Sequence, residues 1–252
     1  MKKISCSFIL MMALFSFINA QTSDKFGGKE VSFETADNIL VTGDLYALKD
    51  KSAPLILLFH QAGYSRGEYR SIAPQLNKLG FQCLAIDQRS GNKVNDVINK
   101  TKIEAKKQDK RTKYPDAFPD LEAALKYASE QLDQKKVIIW GSSYSSSLVF
   151  ILASKYPEKV QAILSFSPGE YFSFEDQKIE DFSKKVSCPV FITSARLEKS
   201  SWKNIYENVS SEKAFYLPEK KGFHGSKALW PEKEGNKGYW NAVKKYLTQF
   251  KK

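Results

Sequence analysis

Short continuous runs of apolar residues alternate along the chain with segments in which apolar residues recur every three or four positions. Runs such as Pro54–His60 predict strands covered on both faces, as in a parallel sheet. Segments such as Glu68–Leu79 predict amphipathic helices. Buried strands that alternate with helices predict a doubly wound α/β sheet with helices on both faces. The predicted strands are Lys29–Thr35, Ile39–Leu45, Pro54–His60, Phe81–Asp87, Val137–Trp140, Val160–Phe166, Pro189–Ser194 and Ala214–Leu217.

Two polar segments, Gln88–Ala117 and Ser167–Lys185, interrupt this alternation. Each follows a predicted strand, and the second contains one helical stretch. Because substrate pockets of α/β sheets lie at the carboxyl ends of strands, we expect both segments to shape such a pocket. The predicted helices are Glu68–Leu79, Asp120–Leu132, Ser147–Lys155, Trp202–Val209 and Tyr239–Phe250.

Residues 1–20 have the pattern of a secretory signal peptide. Two lysines precede the apolar run Phe8–Ile18, and Ala20 stands at the expected cleavage point. The run is too short to span a bilayer of about 30 Å as a helix. We therefore predict a secreted or periplasmic protein that keeps no stable membrane anchor after cleavage. The remaining residues, 21–252, are predicted to form one domain.

The composition changes this picture little. With 42% hydrophobic and 27% charged residues, the chain is neither disordered nor a polytopic membrane protein. The formal charge of +11 comes mostly from lysine, and the five arginines form no basic run interleaved with aromatics. We therefore expect no nucleic-acid partner. Cys83 and Cys188 are isolated and give no zinc-ligand pattern, so neither a metal site nor a cofactor is expected.

The strand Val137–Trp140 runs directly into G-S-S-Y-S at residues 141–145. A serine between a strand and a helix is held with its hydroxyl exposed, facing the N–H groups of the helix N-terminus. The close approach needs small residues two positions either side of the serine, and Gly141 and Ser145 flank Ser143. We interpret Ser143 as a nucleophile, although Ser145 replaces the second glycine of the usual G-x-S-x-G. The alternative is that a serine here caps the helix.

A serine nucleophile needs a general base, which is usually histidine. Of the two histidines, His60 ends a buried strand and is expected to brace its loop. His224 lies in a loop after the last strand and can reach across the strand ends, so we predict it as the base. The orienting acid should lie between the serine and the histidine. Glu198 is the first choice, Glu170 is the rival, and Asp176 is a weaker candidate.

The loop from His60 to Gly67 follows the third strand and is expected to supply half of an oxyanion hole. One N–H comes from the residue after the nucleophile, Tyr144, and the other from this loop. Ala62 is the expected donor, with Gln61 beside it. The alternative is a plain glycine turn. The residues predicted to line the substrate site are Gln61, Tyr64, Arg89, Tyr171 and Phe172.

Three segments together resemble the α/β-hydrolase superfamily, and within it the dienelactone hydrolase-like group. They are residues 59–63 (F-H-Q-A-G), residues 84–91 (L-A-I-D-Q-R-S-G) and Gly141-x-Ser143, combined with the Ser–acid–His order. The resemblance extends from about Val31 to Phe250 and implies an eight-stranded, mostly parallel sheet with an antiparallel start. That sheet would separate the two cysteines, so no disulfide is expected. Two features depart from the group: the acid is glutamate instead of aspartate, and dienelactone hydrolase itself uses cysteine as nucleophile.

These residues predict a secreted serine hydrolase that cleaves a small carboxylic ester through an acyl-enzyme. Ser143 is the predicted nucleophile, His224 the base and Glu198 the acid. No metal or organic cofactor is needed. The same residues could also serve a serine peptidase or a lactonase. The alternative from a different functional class is a binding protein built on a catalytically inactive hydrolase scaffold.

Overall fold

The computed structural model describes residues 26–251, so the predicted signal peptide lies outside the described part of the chain. Strands and helices alternate along these residues. The strands are β1 (Lys29–Glu34), β2 (Leu40–Tyr46), β3 (Leu55–Phe59), β4 (Gln82–Ile86), β5 (Lys93–Val94), β6 (Val97–Ile98), β7 (Val137–Ser142), β8 (Val160–Phe166), β9 (Val190–Thr193) and β10 (Lys213–Tyr216). The helices are α1 (Ala73–Lys78), α2 (Lys100–Lys107), α3 (Phe118–Gln131), α4 (Tyr144–Lys155), α5 (Ile179–Ser183), α6 (Lys199–Asn208) and α7 (Asn236–Leu247).

Within residues 26–251, eight strands form one sheet in the order β1-β2-β4-β3-β7-β8-β9-β10. β2 is antiparallel to both of its neighbours, β1 and β4, and every other pair in the sheet is parallel. This confirms the predicted eight-stranded, mostly parallel sheet with an antiparallel start. Because strands β3, β7, β8, β9 and β10 run in the same direction, the loops that follow them meet at one edge.

The core lies on both faces of the sheet, as the continuous apolar runs predict. In β3, Leu57 and Phe59 pack with residues of α3 and α4, whereas Ile56 and Leu58 pack with residues of α1 and α7. All four side chains are fully buried. A central strand covered on both faces has no polar side, which is why its sequence does not alternate.

The segment after β3 differs from its prediction. Instead of one helix over Glu68–Leu79, a 3-10 turn spans Arg66–Tyr69 and α1 begins only at Ala73. Pro74 lies in the first turn of α1. Proline has no N–H to continue a helix from the preceding residues, but it is well suited to a helix's first turn. The predicted helix is therefore wrong over its first five residues.

The segment Gln88–Ala117 is more regular than its polar sequence indicates. It contains the short hairpin β5–β6 and the helix α2, which begins after Asn99. The side chain of Asn99 accepts a hydrogen bond from Lys102 N at 2.8 Å and so caps the helix. Elements this short and polar carry little apolar periodicity, so the sequence pattern does not show them.

Cys83 and Cys188 are both buried and unbridged. Between residues 26 and 251, every helix is too short or too polar to cross a bilayer.

Candidate active site

Ser143 lies at a sharp bend between β7 and α4. Its backbone has φ 58° and ψ −124°, a region that L-residues rarely adopt. Gly141 permits the bend, because a Cβ there would lie 2.4 Å from Ser145 O and from Ser146 Cα. The bend leads directly into α4, so the helix N-terminus faces the serine. This strand–turn–helix geometry is the context expected for a nucleophile elbow.

Ser145 occupies the position of the second glycine of the common motif, and its hydroxyl is used. The Oγ atom accepts a hydrogen bond from Ser142 N at 2.9 Å and donates one to Phe59 O at 2.8 Å. The hydroxyl therefore joins the end of β3 to the end of β7. A serine fits this position because its small side chain forms a bridge between the two strands.

The structure brings Ser143, His224 and Glu198 together. His224 Nε2 lies 2.8 Å from Ser143 Oγ, and His224 Nδ1 lies 2.7 Å from Glu198 Oε1. With a carboxylate as acceptor, Nδ1 carries the proton and Nε2 can accept one from the serine. Ser143 is 8% exposed, and the imidazole side chain is 34% exposed. The arrangement provides a path for one proton from Ser143 to His224.

Glu198 is held by groups that the sequence analysis did not single out. Its Oε2 accepts hydrogen bonds from Ser167 Oγ at 2.7 Å and Ala195 N at 3.1 Å. Burial raises the pKa of Glu198, but the hydrogen bonds from His224 and Ser167 outweigh it and leave the pKa below its usual value. Ser167 Oγ also accepts from Gly225 N at 2.9 Å, so it links the acid to the loop that carries the histidine.

Glu170, the rival acid, lies at a different place. Its carboxylate accepts hydrogen bonds from Ile179 N at 2.7 Å and from Glu180 N at 2.8 Å. It therefore caps the N-terminus of α5, where a negative charge is favourable. Asp176, the weaker candidate, is exposed in a turn. Of the three acids considered, the structure places only Glu198 against the histidine.

The two predicted oxyanion donors lie on adjacent strand ends. Tyr144 is the first residue of α4, and Ala62 lies in the loop after β3, next to β7 in the sheet. Among the described residues, neither N–H has a hydrogen-bond acceptor. Gln61 N is different, since it donates to Glu68 Oε2 at 2.7 Å. The Gln61 side chain lies against the histidine loop, because a Cβ on Gly225 would be 2.5 Å from its Oε1.

Arg89, which was predicted to line the substrate site, is buried and paired with two acids. Its guanidinium forms ion pairs with Asp37 at 2.7 Å and with the fully buried Asp120 at 2.7 Å. A buried cation must be paired to avoid a large desolvation cost, and both acids point at it. Arg89 therefore fastens the segment after β4 to α3. Tyr64 stacks on Trp230, with ring centroids 6.0 Å apart.

Each of the two polar segments contributes a tyrosine that contacts Ser143 or the next residue, Tyr144. Tyr171 donates a hydrogen bond to Ser167 O at 2.8 Å and is also within hydrogen-bonding reach of Ser143. Burial and the charge of Glu198 raise the pKa of Tyr171 to about 12. Tyr114, which the sequence analysis missed, stacks on Tyr144 with centroids 4.7 Å apart. Phe172, another predicted lining residue, is partly buried and packs against the core.

A cavity of about 900 Å³ opens beside His224 and Glu198, which form part of its wall. The rest of the wall comes mainly from the segment that joins β10 to the histidine. A volume of this size accommodates a small organic molecule. In the part of the chain that the structure describes, no group of three or more His, Cys, Asp or Glu side chains is placed to hold a metal ion.

Comparison with known structures shows the same architecture. The dienelactone hydrolase of Anabaena variabilis aligns over 89% of this chain and 98% of its own, with a TM-score of 0.69 and 16% identity. An esterase of Pyrococcus furiosus aligns over 88% and 92%, with a TM-score of 0.66 and 16% identity. Acetyl xylan esterase 1 of Thermoanaerobacterium aligns over 91% and 86%, with a TM-score of 0.64 and 14% identity. At identities this low, the structural likeness establishes a shared fold and nothing further.

A comparison with curated proteins finds no match. The model of one protein family, described as the alpha/beta hydrolase fold, matches residues 54–187, which is more than half of the chain. The matched region includes β3 with its following loop and the bend at Ser143. From the family match, the sheet order and the structural likeness, the chain belongs to the α/β-hydrolase family.

Proposed function

We propose that the protein is a serine hydrolase that cleaves small carboxylic esters through an acyl-enzyme. The observation that carries this proposal is the continuous hydrogen-bonded chain from Ser143 through His224 to Glu198. Such a chain couples a nucleophile to a base and the base to an orienting carboxylate. The strained bend that presents the serine, next to two N–H groups without acceptors in residues 26–251, supports the same reaction.

In the first half-reaction, Ser143 Oγ adds to the ester carbonyl carbon while His224 Nε2 takes the hydroxyl proton. The N–H groups of Ala62 and Tyr144 stabilise the oxyanion that forms, and each donor contributes a factor of about 10²–10³ in rate. The bond to the leaving alcohol then breaks as Nε2 returns the proton to the alcohol oxygen. The acyl group remains on the serine.

In the second half-reaction, water replaces the alcohol. His224 takes a proton from the water as its oxygen adds to the acyl carbon, and the proton then returns to Ser143 Oγ when the acid product leaves. Glu198 keeps Nδ1 protonated and stabilises the imidazolium in both halves. The protein's own residues supply each of these proton transfers.

The reaction can be tested with a fluorophosphonate probe and p-nitrophenyl acetate. We expect the purified protein to be labelled at Ser143 and to hydrolyse the ester. Ser143→Ala should abolish labelling and lower turnover by about 10⁶-fold, to near background. Ser154→Ala, on the same helix α4 but away from the bend, is the matched control and should behave as wild type. An unlabelled, folded wild-type protein would favour the binding-scaffold alternative.

A panel of substrates separates the remaining alternatives. The same catalytic residues would serve in the hydrolysis of esters, lactones, acylated sugars and amides. The values of kcat/KM measured over a panel of these substrates therefore decide among the alternatives. We propose ester over peptide cleavage. A peptide hydrolysed with a higher kcat/KM than any ester would overturn this choice.

We also propose that the protein acts outside the cytoplasm, in the periplasm or as a secreted enzyme, without a membrane anchor or a nucleic-acid partner. The support is the basic start followed by the apolar run Phe8–Ile18. Expression in a bacterial host tests this directly. The exported protein should begin at Gln21, and a protein that retains residues 1–20 in the cytoplasm would contradict the proposal.

A further inference from the structure

One carboxylate beneath the candidate site has no part in the reaction just described. Glu68 lies in the 3-10 turn after β3, and its side chain is fully buried. Burial of a carboxylate is costly unless the group is hydrogen-bonded or paired. A glutamate buried at this position therefore needs hydrogen-bond donors for its carboxylate oxygens.

The two oxygens of Glu68 reach two different segments of the site. Oε2 accepts a hydrogen bond from Gln61 N at 2.7 Å, directly before Ala62, the predicted oxyanion donor. Oε1 accepts one from Ser142 Oγ at 2.8 Å, directly before Ser143. The carboxylate thus holds the backbone on either side of the place where the oxyanion would form.

The same network extends to the loop that carries the histidine. Ser142 Oγ accepts a hydrogen bond from Ser226 N at 2.8 Å, two residues after His224. In addition, the backbone carbonyl of Glu68 accepts from Trp230 Nε1 at 2.9 Å, farther along that segment. Three segments that are distant in sequence therefore meet at one glutamate.

We propose that Glu68 is a positioning residue that fixes the oxyanion loop, the nucleophile bend and the histidine loop relative to one another. The inference rests on the proposed function, since it concerns the geometry of that reaction. A misplacement of about 1 Å between reacting groups costs on the order of 10²-fold in rate. Loss of Glu68 should therefore lower kcat while KM changes little.

A carboxylate suits this role because two donors converge on it. Both oxygens must accept, and a protonated acid or an amide has only one oxygen that accepts freely. Burial raises the pKa of Glu68 to about 7, against the opposing effect of the hydrogen bonds from Gln61 and Ser142. Protonation below this pH converts one acceptor into a donor and breaks the clamp. The titratable and charged groups that face Glu68 are Tyr64, Tyr69, Tyr144, His224 and Lys227.

The test compares Glu68→Gln with Asp120→Asn, a variant of an equally buried carboxylate that binds Arg89 away from the site. With p-nitrophenyl acetate at pH 8, we expect kcat of Glu68→Gln to fall by about 10²-fold. Folded Asp120→Asn should keep the wild-type kcat. Equal losses in both variants would overturn the inference, because they would show a general effect of losing a buried charge.

Two further readouts separate positioning from a merely structural role. On the acid side, the slope of log(kcat/KM) against pH should be steeper by about 1 in the wild type than in Glu68→Gln, since only the wild type has a carboxylate at position 68 to protonate. Ser142→Ala removes the link but keeps the carboxylate, and it should also lower kcat. This variant keeps the inference testable if Glu68→Gln does not fold.

The outcomes distinguish the two proposals. A wild-type protein without fluorophosphonate labelling or turnover overturns the proposed function and this inference together. A wild type that is labelled and active, with unchanged kcat in Glu68→Gln and Ser142→Ala, overturns only the role of Glu68.

Discussion

The two histidines of the described chain follow strands at the same edge of the sheet, yet their surroundings are opposite. His60 is fully buried, and backbone groups occupy both ring nitrogens: Nδ1 donates to Gln61 O at 2.8 Å and Nε2 accepts from Gln88 N at 2.9 Å. His224 is partly exposed, and its partners are the side chains of Glu198 and Ser143. The comparison teaches that place in the fold does not identify a base. What identifies it is whether one nitrogen faces a carboxylate and the other faces a hydroxyl.

The largest effect should come from removing the exposed ring. We expect His224→Ala to lower kcat for p-nitrophenyl acetate by about 10⁶-fold, because the serine then lacks a base. The fold should persist, since the ring is not part of the core. Circular dichroism and steady-state kinetics on the same preparation check both statements.

His60→Ala is the matched variant and should act on stability. It leaves the buried Gln88 N without its acceptor, at a cost of about 1–3 kcal/mol, whereas Gln61 O keeps its hydrogen bond from Tyr64 N. A loss of turnover by folded His60→Ala equal to that of His224→Ala would contradict the division of roles between the two rings.

The next effect concerns Glu198, the carboxylate that we propose orients the exposed ring. Glu198→Gln should lower kcat by about 10⁴-fold, because the amide no longer holds Nδ1 in the protonated form. Glu170→Gln is the control, since that carboxylate caps α5, and it should cost stability of about 1 kcal/mol with little change in kcat. If Glu170→Gln abolished ester hydrolysis and Glu198→Gln did not, the acid would be wrongly assigned.

The buried imidazole of His60 should change how the free energy of unfolding depends on pH. Burial lowers the pKa of His60 to about 4 in the folded protein, from a usual value of 6.5. Between these values the unfolded chain binds a proton that the folded chain does not, so the free energy of unfolding decreases as the pH falls. The shift corresponds to about 3 kcal/mol, lost progressively between pH 6.5 and 4.

Urea unfolding at pH 7 and pH 4 measures this contribution. The wild type should lose about 3 kcal/mol more than His60→Gln over this interval, since the variant has no ring to protonate. Equal losses would show that the ring is already protonated in the folded state.

The contrast between the two histidines also shows what the sequence can predict. Continuous apolar runs indicate the central strands, and G-S-S-Y-S after one of them indicates the bend at Ser143, because both depend on residues adjacent in the chain. The position of His224 follows from the order of strands. The choice between Glu198 and Glu170 does not, since it depends on how two loops of similar composition fold back.

The residues whose contacts the sequence does not indicate share a physical cause. Arg89 pairs with the partly exposed Asp37 and the buried Asp120, and both acids are distant from it in sequence. Glu68 was read as part of an amphipathic helix, whereas its side chain turns inward to Gln61 N. Tyr114 stands in a segment without periodicity. In each case a contact with residues distant in sequence decides the role of the side chain, and hydrophobic spacing carries no signal of such a contact.

The smallest effect should come from Ser145, the residue that connects the two regions. Its hydroxyl bonds to Phe59 O, directly before His60, and to Ser142 N, directly before Ser143. Ser145→Ala should therefore lower the free energy of unfolding by about 1 kcal/mol through loss of these bonds. Ser145→Gly restores the common motif, yet we expect it to cost about 1 kcal/mol more, because glycine is unfavourable in a helix. Both variants should keep kcat within about twofold, since either small residue permits the bend and His224 is untouched. If Ser145→Gly were more stable than the wild type, the hydrogen bonds of the Ser145 hydroxyl to β3 and β7 would strain the bend at Ser143 instead of stabilising it.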